Sequence, residues 1–211
     1  MFYEPGKTGH GLPHNPFKSL VIPRPIGWIS TASKAGIGNL APFSFFNALG
    51  EHPPYLMISA GCRADGSKKD TVQYAEETGA FVFNLATRDL REKMNETGWI
   101  VERGVNEMIA AGLTAAPSRL VPVPRVAESP AHMECVHHDT VVLPGDSPQG
   151  VHHVLIGRVV GIRIDDAFIT DAGLVDQVGL RAIARLGYMD YTEVNNVFSM
   201  RKRTDGGGAA E

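Results

Sequence analysis

The chain has 211 residues, a formal net charge of −3 at neutral pH, 43% hydrophobic residues and 20% charged ones. That length suits one large domain around one core, the composition excludes a disordered chain, and the near-neutral charge disfavours nucleic-acid binding through phosphate neutralisation. With 23 Gly and 14 Pro, the chain exceeds the usual combined share of about 12%, which points to many turns and short strands rather than a helical bundle.

From Met1 to His14, Glu4, Lys7 and His10 stand among breakers at Pro5, Gly6, Gly9, Gly11 and Pro13, without the apolar centre of a secretory signal. No run reaches the ~18 apolar residues of a membrane helix. Cys62 and Cys135 are too few and too far apart for a disulfide framework. The expectation is a soluble cytoplasmic protein with no membrane and no nucleic-acid partner.

Apolar runs at Ile26–Ala32, Asn39–Leu49 and Tyr55–Ser59, parted by Lys34-Ala35-Gly36 and His52-Pro53-Pro54, predict three strands of an antiparallel meander. Ser67 with Asp70 reads as a capping box in its Asp form, opening a helix through Val72, Tyr74 and Ala75 that stops at Gly79. Ala80–Ala86 is a strand, Thr87 and Asp89 open a helix to about Thr97, and Val105–Ala111 is a third short helix. Prolines at 117, 122, 124 and 130 mark either a linker or a loop laid over one domain. Ala131–Leu143 and Val151–Ile164 predict a long hairpin, Leu180–Leu186 a short helix, and 201–211 a disordered tail. About six strands, short helices and no βαβ alternation predict a mainly β (α+β) protein: a β-barrel with helical insertions.

Several motifs carry chemistry. Gly36-Ile37-Gly38-Asn39-Leu40-Ala41 matches a dinucleotide fingerprint, but Pro42 and the β-rich Phe43-Ser44-Phe45-Phe46 follow where a helix must open, so a hairpin turn is the reading. Gly61 to Lys68, containing Arg63 and Ser67, resembles a phosphate loop with Ser and Lys transposed, which argues against an NTPase. A Gly-containing loop entering a helix whose first turn holds Lys68, Lys69 and Thr71 still offers free N–H donors, a positive dipole end and ammonium groups, which suits a monophosphate. A solvated helix start with a Ser cap reads equally well there. Asn39, Ser44 and Asn47 interrupt an apolar stretch, and burying them unpaired would cost ~1–3 kcal/mol each; neighbouring backbone or a planar heterocycle would satisfy them. Phe43, Phe45 and Phe46 read first as core. His132, His137, His138, His152 and His153 cluster near Cys135 and Glu134, yet in no standard zinc spacing, and alternation puts adjacent pairs on opposite faces. No metal site is expected.

Five ordered motifs, Arg24-Pro25-Ile26-Gly27-Trp28-Ile29-Ser30-Thr31, Asn39 through Ala48, Pro53-Pro54, Lys68-Lys69-Asp70-Thr71 and Phe81-Val82-Phe83-Asn84-Leu85, resemble the flavin reductase-like domain family. The resemblance spans about Pro23 to Tyr191, which leaves 1–22 as an N-terminal extension and 192–211 as a C-terminal extension and tail. It implies an FMN-binding split β-barrel, homodimeric, with one FMN per subunit. Ser30, Thr31 and the segment from Asn39 to Asn47, including Ala41, Pro42, Ser44, Phe45 and Phe46, would wall the flavin. Lys69, Asp70 and Thr71 would hold the phosphate, beside Arg63, Ser67 and Lys68. His152, five residues before Gly157, resembles a histidine near the flavin's reactive face and is the one catalytic or substrate-binding candidate from that run. Arg185-Leu186-Gly187-Tyr188 resembles a segment that reaches back toward the site, making Arg185 a second substrate-binding candidate. The implied activity is NADH- or NADPH-dependent reduction of flavin, with electrons passed to flavin or another small-molecule acceptor. A non-catalytic FMN carrier or sensor is the rival, and a histidine metalloenzyme a third reading.

Overall fold

The computed structural model describes residues 1–200, so the tail expected to be disordered at 201–211 lies outside the described residues. The strands are β1 (Arg24–Pro25), β2 (Gly27–Ala32), β3 (Gly38–Phe43), β4 (Phe46–Glu51), β5 (Pro54–Gly61), β6 (Ala80–Leu85), β7 (Ala115–Ala116), β8 (Arg125–Val126), β9 (Ala131–Leu143), β10 (His152–Ile164), β11 (Ile183–Arg185) and β12 (Tyr191–Glu193). The helices are α1 (Phe17–Leu20), α2 (Asp70–Thr78), α3 (Arg91–Glu96) and α4 (Glu107–Ala110).

Seven strands form one antiparallel sheet in the order β3-β2-β6-β9-β10-β5-β4. Its two edge strands are consecutive in sequence, joined by Ser44 and Phe45 alone. The three steps from Phe43 to Phe46 span at most ~11 Å, so the sheet must curl until its edges approach. The result is a barrel split between β3 and β4. The expected three-strand meander is therefore corrected: β2 pairs with β3 and β4 with β5, but the apolar run from Asn39 to Leu49 breaks at Ser44 and sends its halves to opposite edges.

Inside the barrel, Ile29, Phe43, Ile58, Phe81, Cys135 and Leu155 meet Val72 and Ala75 of α2. Outside it, Trp28 and Leu40 pack against Met94 of α3 and Met108 of α4, and Trp28 Nε1 donates to Thr97 Oγ1 at 2.9 Å. Strand β2 is consequently buried on both faces and shows no alternation in its sequence.

The proline-dotted stretch lies over the outer face of β6, with Val121 and Val123 buried against Ala80 and Val82. The predicted helix at Leu180–Leu186 is a strand instead. Ile183–Arg185 pairs with β1 and with β12, and these two-sided ladder bonds outweigh local helix propensity. The helix expected from Asp89 is shorter, Arg91–Glu96. Ser67 does not cap α2: its hydroxyl donates to Asp65 at 2.6 Å, and Lys69 occupies the N-cap. Gly79 does end that helix, with φ 73°, a conformation only glycine adopts freely.

Candidate functional site

Helix α2 begins with no side-chain bond at its N-cap; the Val72 N–H turns back to the Lys69 carbonyl at 3.0 Å, and the N–H groups of Asp70 and Thr71 have no side-chain cap. The charges around this end have different fates. Asp70 is buried and pairs with Arg103 at 2.7 Å and Arg63 at 3.3 Å. Arg63 also donates to the Val101 carbonyl at 2.9 Å. Lys68 sits on the Glu76 carboxylate at 2.6 and 2.8 Å. Among the described residues Lys69 forms no ion pair, and its ammonium lies 5.7 Å from the Phe43 ring centroid. Surrounding protein atoms, and secondly the Arg63 charge, pull its pKa below the usual lysine value. Yet the residue remains solvent-exposed. The ammonium is thus crowded by protein atoms on one side and open to water on the other.

Beneath this helix start, the buried Asn39 amide donates to Thr31 at 3.0 Å and Thr71 at 2.9 Å. This triad fastens the start of α2 to β2 and β3, so Thr31, Asn39 and Thr71 support the site from behind. Ser30 points the other way. Its hydroxyl, fully buried, donates to the Pro124 carbonyl at 2.6 Å and accepts from Asn84 at 3.2 Å, so the side chain does not reach a cavity wall. Ala41 packs on the barrel core.

The link between β3 and β4 opens onto a cavity of about 620 Å³, well within the ~300–1,000 Å³ of small-molecule sites. Ser44, Phe45, Phe46, Asn47, Ser59 and His152 line it, with Phe17 and Lys18 of α1 on the near side. Phe46 is held by stacking on Phe83, centroids 5.0 Å apart. His152 Nδ1 lies 3.0 Å from Ser59 Oγ, and its ring is 5.9 Å from Phe45. The hairpin between β9 and β10 encloses the same end, with Leu143, Pro144 and Gly150 in the wall. An apolar, aromatic cavity with a few polar groups fits a planar heterocycle, and the free ammonium at an uncapped helix start fits a phosphate monoester. Phe43 lies between the two ends: Lys69 stands over its ring, and Ser44 and Phe45 follow it.

The other histidines are dispersed. His132 is buried with Nε2 2.8 Å from the Val126 carbonyl, His137 meets Thr140, His138 meets Tyr55, and His153 lies 3.9 Å from Cys62 Sγ. Among the described residues no three His, Cys, Asp or Glu side chains gather as metal ligands. Arg185 is placed beside the site, its guanidinium 4.4 Å from the Tyr191 ring. Sequence reasoning missed Arg103, Ser59, Lys18 and Trp99. Arg103 is 33 residues from its partner Asp70, a separation with no local signal.

A barrel split between its own consecutive edge strands, with an anion-seeking helix start beside an aromatic cavity, defines a split-barrel cofactor-binding protein. The sequence model of the flavin reductase like domain matches residues 19–180, and the chain belongs to that family. It is 41% identical over 174 residues to an uncharacterised protein of Aquifex aeolicus, covering 82% of this chain and 86% of that one. It is 37% identical over 184 residues to a protein of Halalkalibacterium halodurans, covering 87% and 88%. Among solved structures it resembles nitrilotriacetate monooxygenase component B from Bacillus cereus, with TM-score 0.86, 29% identity and coverage of 95% and 98%. It also resembles 2-nitrobenzoate 2-nitroreductase from Pseudomonas fluorescens, with TM-score 0.77, 25% identity and coverage of 90% and 89%. Family and neighbours make this a flavin-related oxidoreductase.

Proposed function

We propose that the protein binds FMN and uses NADH or NADPH to reduce it, passing electrons to free flavin or to another small-molecule acceptor. The carrying observation is Lys69: an ammonium with no ion-pair partner among the described residues, at the uncapped start of α2, next to the strand that leads into the aromatic cavity. One cationic helix start supplies one phosphate clamp, which favours FMN over FAD. Bound FMN would supply the redox chemistry that no side-chain dyad here provides.

The chain's own residues bind and orient. Lys69 and the N–H groups of Asp70 and Thr71 hold the phosphate, with Asp70 keeping Arg63 and Arg103 in place behind it. Phe45 and Phe46 offer apolar surface to the ring, while Ser44, Asn47 and Ser59 offer hydrogen bonds at its edge. His152, oriented by Ser59, stands where a polar contact to substrate or ring is available. The protein works as a homodimer in the cytoplasm. Exposed Val141, Val142 and Leu143 on the hairpin support a second copy, and since Leu143 also lines the cavity, that copy would border the ring site.

The test is anaerobic mixing of the yellow protein with NADH and with NADPH. Bleaching of bound-flavin absorbance within seconds is expected. No bleaching with either nucleotide would turn the reading to a carrier or sensor, and extraction of mostly FAD would overturn the single-phosphate argument.

A further inference from the structure

Beside the ring cavity lies a smaller recess of about 270 Å³ that shares Lys18, Arg24 and Ser44 with it. Pro42 and the aromatic rings of Trp99, Tyr188 and Tyr191 wall it, and Arg185 borders it as well. Three separate segments, α1, β1 and β11, thus bring three cations to one place. Among the described residues none of the three pairs with a carboxylate, and no acidic side chain lines either cavity.

Arg24 shows how unusual this is. It is 5% exposed, and its guanidinium donates to the carbonyls of Lys18, of Val21 at 2.7 Å and of Leu186 at 2.7 Å, with Nε 3.5 Å from Ser44 Oγ. All of these partners are neutral. Burial, and secondly the charge of Arg185, hold its pKa below the usual arginine value. A buried charge without a counter-ion is costly, and a second cation beside it adds to the cost. An anion in the recess would relieve both.

The geometry narrows the anion. Arg185 is fixed by Tyr191 Oη and the Tyr188 carbonyl and stacks on the Tyr191 ring at 4.4 Å. A planar guanidinium held in this way matches a carboxylate fork better than a point charge does. The aromatic walls favour a flat partner, and 270 Å³ falls below the ~300–1,000 Å³ of ordinary ligand sites, room for a single ring rather than a dinucleotide. Lys18, Arg185, Tyr188 and Tyr191 all lie outside the segment 19–180 that the family shares, so the recess is a feature of this chain's flanks.

We propose that the recess is an anion subsite for a single-ring organic acid, its carboxylate toward Arg185 and Lys18 and its ring against the aromatic walls of Trp99, Tyr188 and Tyr191. The subsite does not depend on the flavin reading above.

Benzoate and benzamide, one ring with and without the charge, are titrated by calorimetry into FMN-loaded protein and into apoprotein. Benzoate should bind at least tenfold tighter than benzamide, in line with charge-assisted hydrogen bonds. Lys18→Gln and Arg185→Gln should each weaken benzoate about tenfold or more and leave benzamide unmoved, with Arg185→Lys recovering part of the loss. Lys18 is exposed on a short helix, so its variant keeps the test valid should Arg185→Gln melt early. Equal binding of the two probes, or benzoate affinity unchanged in the variants, overturns the subsite. Variants that weaken NADPH and spare benzoate overturn it in favour of the dinucleotide. Benzoate discrimination in a protein that fails to bind FMN would sink the flavin reading and uphold the subsite.

Discussion

Lys68 and Lys69 are adjacent in sequence, yet Glu76 neutralises the first and nothing among the described residues neutralises the second. Lys69→Ala should therefore remove charge-assisted bonds worth ~1.5–3 kcal/mol and weaken FMN roughly 10- to 150-fold. Riboflavin, without the phosphate, should hardly respond, and Lys68→Ala should matter little for either flavin. Paired titrations decide it: equal losses for FMN and riboflavin would assign Lys69 to the fold or the ring site. Because its pKa is depressed, the preference for FMN over riboflavin is full below that depressed value and is lost as pH rises through it. The loss should come before the ~10.4 of an ordinary lysine. His132 makes the opposite use of burial. Its Nε2 faces the Val126 carbonyl, its Nδ1 has no partner, and burial lowers its pKa. The unfolded chain takes up a proton below about pH 6.5 that the folded chain refuses, so stability should fall as pH drops from there toward the lowered folded value. Thermal melts should show a shallower dependence for His132→Gln across that window; parallel slopes would refute the assignment.

Strands and helices here obey local rules where neighbours agree and lose to packing where they do not. Gly79 ends α2 as its sequence predicts, while the Ser67–Asp70 pattern is overridden because Asp70 serves two arginines rather than a backbone cap. Gly157 has a packing reason that its sequence hides. It sits at a register shift between β9 and β10, and a Cβ built there would collide with the Phe81 ring. Gly157→Ala should lower stability by ~1–3 kcal/mol, read as a shift in the denaturation midpoint. Adding Phe81→Leu should make the double variant less destabilised than the two single changes predict; strict additivity would count against the collision.

At the scale of the whole molecule, β9 and β10 leave Val136, Val141, Val142, Leu143, Val160 and Ile162 exposed, more apolar surface than one hairpin ordinarily shows to water. Light scattering at micromolar concentration should return about twice 22.8 kDa, with an interface of the obligate class above ~2,000 Å². A monomer mass would contradict the dimer and leave the hairpin wall of the cavity without its expected cover.

The strand-rich composition, the long hairpin, the presence and glycine stop of α2 and the lysines at its start are legible in the sequence, because each depends on residues within a few positions of one another. The family resemblance is legible for the same reason, as five short motifs in order. Three features depend on contacts between residues distant in sequence. Ser44 and Phe45 connect the two sheet edges, which turns one apolar run into two strands and opens the cavity. Ser30 and Thr31 face opposite sides of a strand buried on both, so neighbouring residues acquire different partners. Residues 183–185 become a strand because β1 and β12 supply partners on both sides, and that pairing carries Arg185 to Arg24 and Lys18. Backbone pairing and charge proximity across more than 150 residues leave no local pattern, so only the tertiary structure decides them.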